Sequence, residues 1–261
     1  MTRFRATLAY EGTAYKGYQV QPNVPTVQGI VEAVLTDLLQ QETRITGAGR
    51  TDTGVHATGQ VIAFDAEWKH GNQALLRAVN AKLPDEIALQ DITQHANFHP
   101  RFDALSRTYR YQIAVVEVRQ PLLTKRAWQM HDMLDIDVMQ HAAENLLGEH
   151  DFAAFGNPPQ GNNTVRTVFR SVWQAEQMPF GIQLNYEVEA TAFLYHMVRR
   201  FVGLQVAVGK GRISLDEFEA IFRSCDLNRN KWVAPPYALT LIEVTYPPMG
   251  MSRDEYIKTQ E

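Results

Sequence analysis

One short segment concentrates the groups that could do chemistry: Gly47-Ala48-Gly49-Arg50-Thr51-Asp52-Thr53-Gly54-Val55-His56. Its three glycines flank a carboxylate and a guanidinium, and strand-like sequence lies on both sides. Glycine tolerates positive φ and lets a ligand approach the backbone closely. Asp52 could then serve as a nucleophile or proton carrier, and Arg50 as a phosphate or base contact. The same composition also suits a tight turn carrying a local Arg50–Asp52 surface pair. Residue types alone leave both readings open.

Other common chemistries find no support. No Gly-x-Ser-x-Gly elbow exists, which argues against an α/β-hydrolase. Gly209-Lys210-Gly211 resembles part of a phosphate loop, yet the earlier glycine position is Leu204 and neither Ser nor Thr follows Lys210. Gly47-x-Gly49 fails the dinucleotide pattern because Asp52 occupies the third glycine position. The eight histidines show no His-Glu-x-x-His spacing. His95 and His99 could form a metal pair, but surface or packing roles suit them better. The single cysteine, Cys225, rules out an intramolecular disulfide and a zinc-thiolate cluster, and it fits a reducing compartment.

The chain has 261 residues, 45% of them hydrophobic and 21% charged, enough to bury a core as one large domain or two modest ones. The run after Met1 is too brief for a secretory h-region. Charged residues (Glu189, Arg199, Arg200) and His196 break up the apolar stretch 190–208, so no membrane span is expected and a cytoplasmic location is. A net charge of −4 argues mildly against a nucleic-acid partner. Locally the balance reverses. Residues 101–126 carry six basic side chains against two acidic ones, and residues 166–212 carry six against three. These are either solvated faces or, if they converge in space, a phosphate-binding surface.

Short alternating elements must position these groups. Arg3 to Tyr10 reads as a strand, and Thr26 as the cap of a helix with Val27, Ile30, Val31, Val34, Leu35 and Leu38 on one face. Thr43 to Thr46 and Gln60 to Phe64 read as strands around the Asp52 loop, with a helix from Gln73 to Leu83. Strands follow at Ile87 to Thr93, Leu105 to Val118, Thr164 to Gln177, Ile182 to Glu189 and Leu239 to Tyr246. Asp137 with Gln140 and Ser214 with Glu217 form capping-box patterns, Gly148 is expected as a C′ residue, and Ala192 to Val208 reads as a buried helix. The pattern indicates an α+β protein with a largely antiparallel sheet. A domain boundary near Phe102 is expected, dividing the chain into 1–103 and 104–261.

The Asp52 segment, continued through Ala57 to Gly59-Gln60-Val61, closely resembles the catalytic motif of the tRNA pseudouridine synthase A (TruA) family. Further segments follow in that family's order. They are Tyr10-Glu11-Gly12-Thr13, Gly17-Tyr18-Gln19, Thr26-Val27-Gln28, Arg107-Thr108-Tyr109-Arg110-Tyr111, Asp151-Phe152 with Phe155, Arg166-Thr167-Val168, Phe193 to Arg199, and Ala234-Pro235-Pro236. Four positions depart from it: Tyr18 replaces the usual tryptophan, Thr53 an alanine, Tyr195 a histidine and Ala238 a glycine.

The resemblance implies two α/β halves with a continuous sheet and a central active cleft, assembled as a homodimer. It also implies cofactor-free isomerisation of uridine to pseudouridine at positions 38, 39 and 40 of the tRNA anticodon arm. The target nucleotide must leave its stack to be reached. Asp52 would be the nucleophile, at C6 of the base or at C1′ of the ribose. By resemblance Arg199 is the cation that keeps a carboxylate ionised in a dry pocket. Tyr109 contacts the extruded base and assists proton removal from C5, and Arg50 enters the space that the base leaves. Arg107, Arg110, Arg166, Arg170 and Lys210 are expected phosphate contacts. Two rival readings remain: an RNA-binding protein of the same fold without catalysis, and a metal-dependent phosphoryl-transfer enzyme, which would need a second carboxylate near Asp52.

Overall fold

The computed structural model describes residues 1–260. The chain runs through β1 (Thr2–Tyr10), α1 (Val27–Leu39), β2 (Thr46–Gly47), β3 (His56–Ala66), α2 (Asn72–Asn80) and β4 (Ile87–Gln94). Next come β5 (Ser106–Val116), β6 (Trp128–Met130), α3 (Ile136–Glu144), β7 (Gly148–Asp151), β8 (Val165–Met178), β9 (Gly181–Ala190), α4 (Met197–Gly209) and α5 (Leu215–Arg223). It ends with β10 (Leu239–Thr245) and α6 (Arg253–Gln260). The protein is therefore a mixed α+β structure. Its strand pairings are mostly antiparallel, with β10–β3 and β5–β6 parallel.

Contacts divide the chain into two units, Met1–Ser106 with the segment from Thr240 onward, and Arg107–Leu239. The first unit is discontinuous, because the segment carrying β10 returns to it. That return rests on long-range pairing: Thr240 and Leu241 lie opposite His56 and Ala57 of β3.

In the first unit the strands run β4-β1-β3-β10, with β2 paired to β3. Phe4, Ala6, Leu8 and Tyr10 are buried in alternation along β1, as the two-residue period of a strand requires. The Thr26 hydroxyl caps α1 by accepting from the Gly29 N–H at 3.2 Å. Val27, Val31 and Leu35 form the buried stripe of that helix. The strand expected at Thr43 to Thr46 shrinks to Thr46–Gly47. Side chains of α1 take the backbone groups that a ladder would use: the Thr43 N–H donates to the Thr36 hydroxyl and the Ile45 N–H to Glu32.

In the second unit the order is β6-β5-β9-β8-β7. Tyr111 lies opposite Tyr186 of β9, and Tyr186 opposite Trp173 of β8, in a core that α4 closes. Phe152, Phe155, Phe201, Phe218 and Phe222 form a second packed group.

Several helix boundaries differ from expectation, and α2 ends at Asn80 rather than Leu83. Asp135, not Asp137, caps α3, its carboxylate accepting from the Val138 N–H at 3.1 Å. Gln140 does not reach back as a capping box requires, because its carbonyl accepts from the Trp173 N–H at 2.8 Å. Gly148 opens β7 at φ 97° and is not a C′ residue. The helix expected from Ala192 begins only at Met197, because His196 adopts φ 63° and turns the preceding segment out of the helical path.

Two buried tyrosines make the fold alkali-sensitive. Burial pushes the Tyr10 and Tyr186 phenols from 10.0 up to about 12, against the opposing effect of their hydrogen bonds to Thr51 and Ser171. Below pH 10 the phenols are protonated in both folded and unfolded chains, so stability is undiminished. Between pH 10 and about 12 only the unfolded chain ionises, so stability falls with rising pH by roughly 1.4 kcal/mol per pH unit for each tyrosine. Urea unfolding at pH 9 and pH 11 should therefore give a clearly lower midpoint at pH 11. Tyr10→Phe should reduce that difference.

Candidate active site

The Asp52 loop lies between β2 and β3 and is pinned on both limbs. The Ala48 N–H donates to the Val61 carbonyl at 2.8 Å, and Gln60 Nε2 donates to the Gly49 carbonyl at 2.9 Å. On the other limb the Thr51 carbonyl accepts from the Tyr18 N–H at 3.1 Å, and the Thr51 hydroxyl lies 2.8 Å from the Tyr10 hydroxyl. The Val55 N–H closes a turn onto the Asp52 carbonyl at 3.1 Å, with Gly54 at φ 81°. Thr51, Gly54 and Val55 are buried, whereas Asp52 is half-buried and Arg50 exposed. A solvated surface turn has no need of so many buried anchors. The arrangement fits a loop that carries an exposed Arg50 and a half-buried Asp52 on a fixed backbone.

Glycine is required where neighbouring segments touch this loop. A Cβ on Gly12 would sit 1.9 Å from the Val55 carbonyl oxygen. Gly17, at φ 87°, lies against the Thr51 carbonyl. The Gly12 N–H donates to His56 Nδ1 at 3.0 Å, and the Glu11 carboxylate lies 3.4 Å from the same nitrogen. The strand-end sequence Tyr10-Glu11-Gly12 thus braces both ends of the Asp52 segment. Tyr18, where tryptophan is usual, is buried against Gly47, whose missing side chain makes room for its ring.

The second unit holds Tyr109 and Arg199. Tyr109 is largely buried on β5 opposite Val188, with its ring edge-on to Phe193 at 5.1 Å. Tyr111, two residues on, is fully buried and donates to the Pro235 carbonyl at 2.9 Å, which makes it a core residue. Arg199 lies in the first turn of α4. Its Nε donates to the Ala234 carbonyl at 2.8 Å, and the Ala234 N–H returns a bond to the Arg199 carbonyl at 3.0 Å. These two bonds fix the guanidinium to the Ala234-Pro235-Pro236 segment. Ala238, where glycine is typical, is buried in a 3₁₀ turn and takes no positive φ. The substitution therefore introduces no backbone strain.

Of the expected phosphate contacts, the arginines lie on β5 and β8, the two strands that flank β9, whereas Lys210 lies apart. Arg110 and Arg170 share the Glu187 carboxylate, at 2.7 and 3.1 Å. Arg107 donates to the Thr191 carbonyl at 2.9 Å. Arg166 donates to the carbonyls of Asn163 and Val165, and burial lowers its guanidinium pKa. Lys210 pairs with Asp132 at the far end of α4, about 16 Å along the helix from Arg199. His95 and His99 are packing residues, stacked on Phe98 and Phe102. Among the described residues no group of three or more His, Cys, Asp or Glu side chains could hold a metal ion, and no helix is long and apolar enough to cross a membrane.

Sequence reasoning assigned no role to Tyr10, Gln60, Glu11 or His56. The alternation along β1 was the available signal for Tyr10, since it places that residue in line with the buried Phe4, Ala6 and Leu8.

A family model described as tRNA pseudouridine synthase matches residues 6–103 and 142–247. Among curated proteins, the tRNA pseudouridine synthase A of Geobacter sp. (strain M21) is 36% identical over 249 residues, covering 95% of this chain and 100% of that protein. Those of Myxococcus xanthus and Neisseria meningitidis serogroup C are 40% and 41% identical, each covering 94% of this chain and 92% of the relative. The first matched segment contains Tyr10 and Asp52 and the second Arg199, while the Arg107–Tyr111 motif with Tyr109 lies between the two. The chain belongs to the tRNA pseudouridine synthase family.

Proposed function

We propose that this protein isomerises uridine to pseudouridine at positions 38, 39 and 40 of the tRNA anticodon arm, with Asp52 as nucleophile. The observation that carries this reading is the pinned loop, which fixes the backbone beneath Arg50 and Asp52 within a chain of this family. In the reaction the bond from ribose C1′ to uracil N1 breaks and a bond from C1′ to C5 forms. The C5 proton leaves to solvent, and N1 ends protonated. Asp52 attacks C6 of the base or C1′ of the ribose, and no water is consumed. Arg199 supplies the fixed cation that the carboxylate requires in a desolvated setting. The Tyr109 hydroxyl assists removal of the C5 proton, and Arg50 occupies the space that the extruded nucleotide vacates.

Arg107, Arg110, Arg166, Arg170 and Lys210 contact RNA phosphates in this reading. For Arg110 and Arg170 the shared Glu187 offsets part of the charge, so their share of affinity is small. Two chains acting on one folded RNA would reconcile the net charge of −4 with tRNA binding, and we assign the protein as a homodimer on that ground and as cytoplasmic because its proposed substrate is tRNA. The test is tritium release from unmodified tRNA labelled at uridine C5. Release should be stoichiometric with uridines at positions 38 to 40 and should vanish when those positions are changed to cytidine. Undiminished release from the cytidine-substituted tRNA would overturn the positional assignment.

A further inference from the structure

Immediately before α4 the chain holds an aromatic pair outward in a strained conformation. Tyr195 is 60% exposed, and its ring stacks on that of His196 with centroids 3.8 Å apart and planes 29° apart. His196 sits at φ 63° and ψ 7°, the left-handed region that non-glycine residues rarely adopt. Such outliers persist only where the surroundings enforce them. Here they do. The Tyr195 N–H donates to the Asn157 carbonyl at 2.9 Å, and the Leu194 N–H lies 3.3 Å from Met197 Sδ. Gly156 must lack a side chain, because a Cβ there would lie 2.3 Å from the Tyr195 carbonyl oxygen.

Burial does not explain the arrangement. Leu194 and Met197 on either side are buried, so the segment is anchored through them while Tyr195 stays in solvent. What the backbone strain secures is a rigid, exposed π-face one helical turn before Arg199.

We propose that the Tyr195–His196 pair is a stacking platform for an unpaired nucleobase of the RNA, adjacent to the uridine that is isomerised. It rests on the reading of this protein as a tRNA pseudouridine synthase and extends it to a second nucleotide. An extruded uridine leaves its neighbours without a stacking partner, and an aromatic face replaces that loss. Every base has a π-face, so the platform tolerates sequence, as an enzyme acting at several adjacent positions requires.

The test measures binding, in the Asp52→Asn background, of an unmodified tRNA anticodon-arm hairpin carrying 2-aminopurine beside the target uridine. Tyr195→Leu keeps an apolar side chain of similar reach without a planar face. It should weaken binding roughly five- to a hundredfold and reduce the quenching of 2-aminopurine. Tyr195→Phe and Tyr195→Trp should recover most of that affinity and quenching, which a packing role for the hydroxyl or for bulk would not produce. Unchanged affinity and quenching in Tyr195→Leu, with the unsubstituted Tyr195 protein binding normally, would overturn the platform while leaving the proposed activity intact. If the protein with Tyr195 does not bind the hairpin at all, the tRNA reading fails and the platform fails with it.

Discussion

Asp52→Asn should abolish tritium release from C5-labelled tRNA, lowering turnover by at least ~10⁴-fold, while tRNA affinity stays within a few-fold of the native value. Asparagine is nearly isosteric with aspartate, so the loop keeps the anchors that hold it. The Thr51 hydroxyl still meets Tyr10, the Gly49 carbonyl still accepts from Gln60, and the Val55 N–H still closes onto the residue 52 carbonyl. What the substitution removes is the carboxylate proposed as the nucleophile. A loss confined to turnover, with thermal stability unchanged, therefore separates chemistry from folding. Significant residual turnover would show that a group other than Asp52 attacks the nucleotide. Chelator sensitivity would instead revive the metal-dependent reading.

Arg199→Leu should give the second-largest effect, a loss of about 10²- to 10³-fold in turnover. The Nε bond to the Ala234 carbonyl shows that this guanidinium is held by the backbone and does not swing free. A fixed charge of that kind costs no reorganisation when the substrate's charge distribution changes. Arg199→Lys keeps the charge but loses the planar guanidinium whose Nε bonds the Ala234 carbonyl. It should recover only part of the lost rate. Equal turnover in Arg199→Leu and the native enzyme would reduce Arg199 to a helix-anchoring residue. Circular dichroism and thermal unfolding of both variants establish that α4 remains docked.

Much of the fold could be read from local pattern, and its failures share a cause. The alternation in β1 and the apolar stripe of α1 are encoded by residues that are neighbours in sequence, so periodicity finds them. The cap at Ser214 is equally local, with the Glu217 N–H donating to the Ser214 hydroxyl. The start of α4 was misplaced because Phe193, Leu194 and Met197 share a helix-like spacing. What takes the segment out of the helical path is the left-handed backbone of His196, next to a bond from the Tyr195 N–H to Asn157, roughly forty residues upstream. The cap of α3 lies two residues earlier, at Asp135, and the Gln140 carbonyl accepts from Trp173 of β8, a partner that local pattern does not reveal. The return of β10 to the first unit likewise depends on pairing with β3 across more than 180 residues.

The site divides in the same way. Asp52, Arg50 and the glycines around them announce themselves by type. Their assignment to one chemistry came from co-linear motifs, since the residues alone equally allowed a surface turn. Tyr10 and Gln60 were silent because their partners, Thr51 and Gly49, lie 41 and 11 residues away. A hydroxyl at the end of a strand carries no local sign of what it will hold.

The measurement closest to the central claim is single-turnover tritium release from a tRNA labelled at C5 of uridine 39 alone, with native and Asp52→Asn proteins compared at matched tRNA occupancy. One tritium released per bound tRNA by the native protein, and none above background by Asp52→Asn, is the expected result. Equal release by the two proteins, or none by the native protein despite full occupancy, would contradict the assignment of this loop as the catalytic centre.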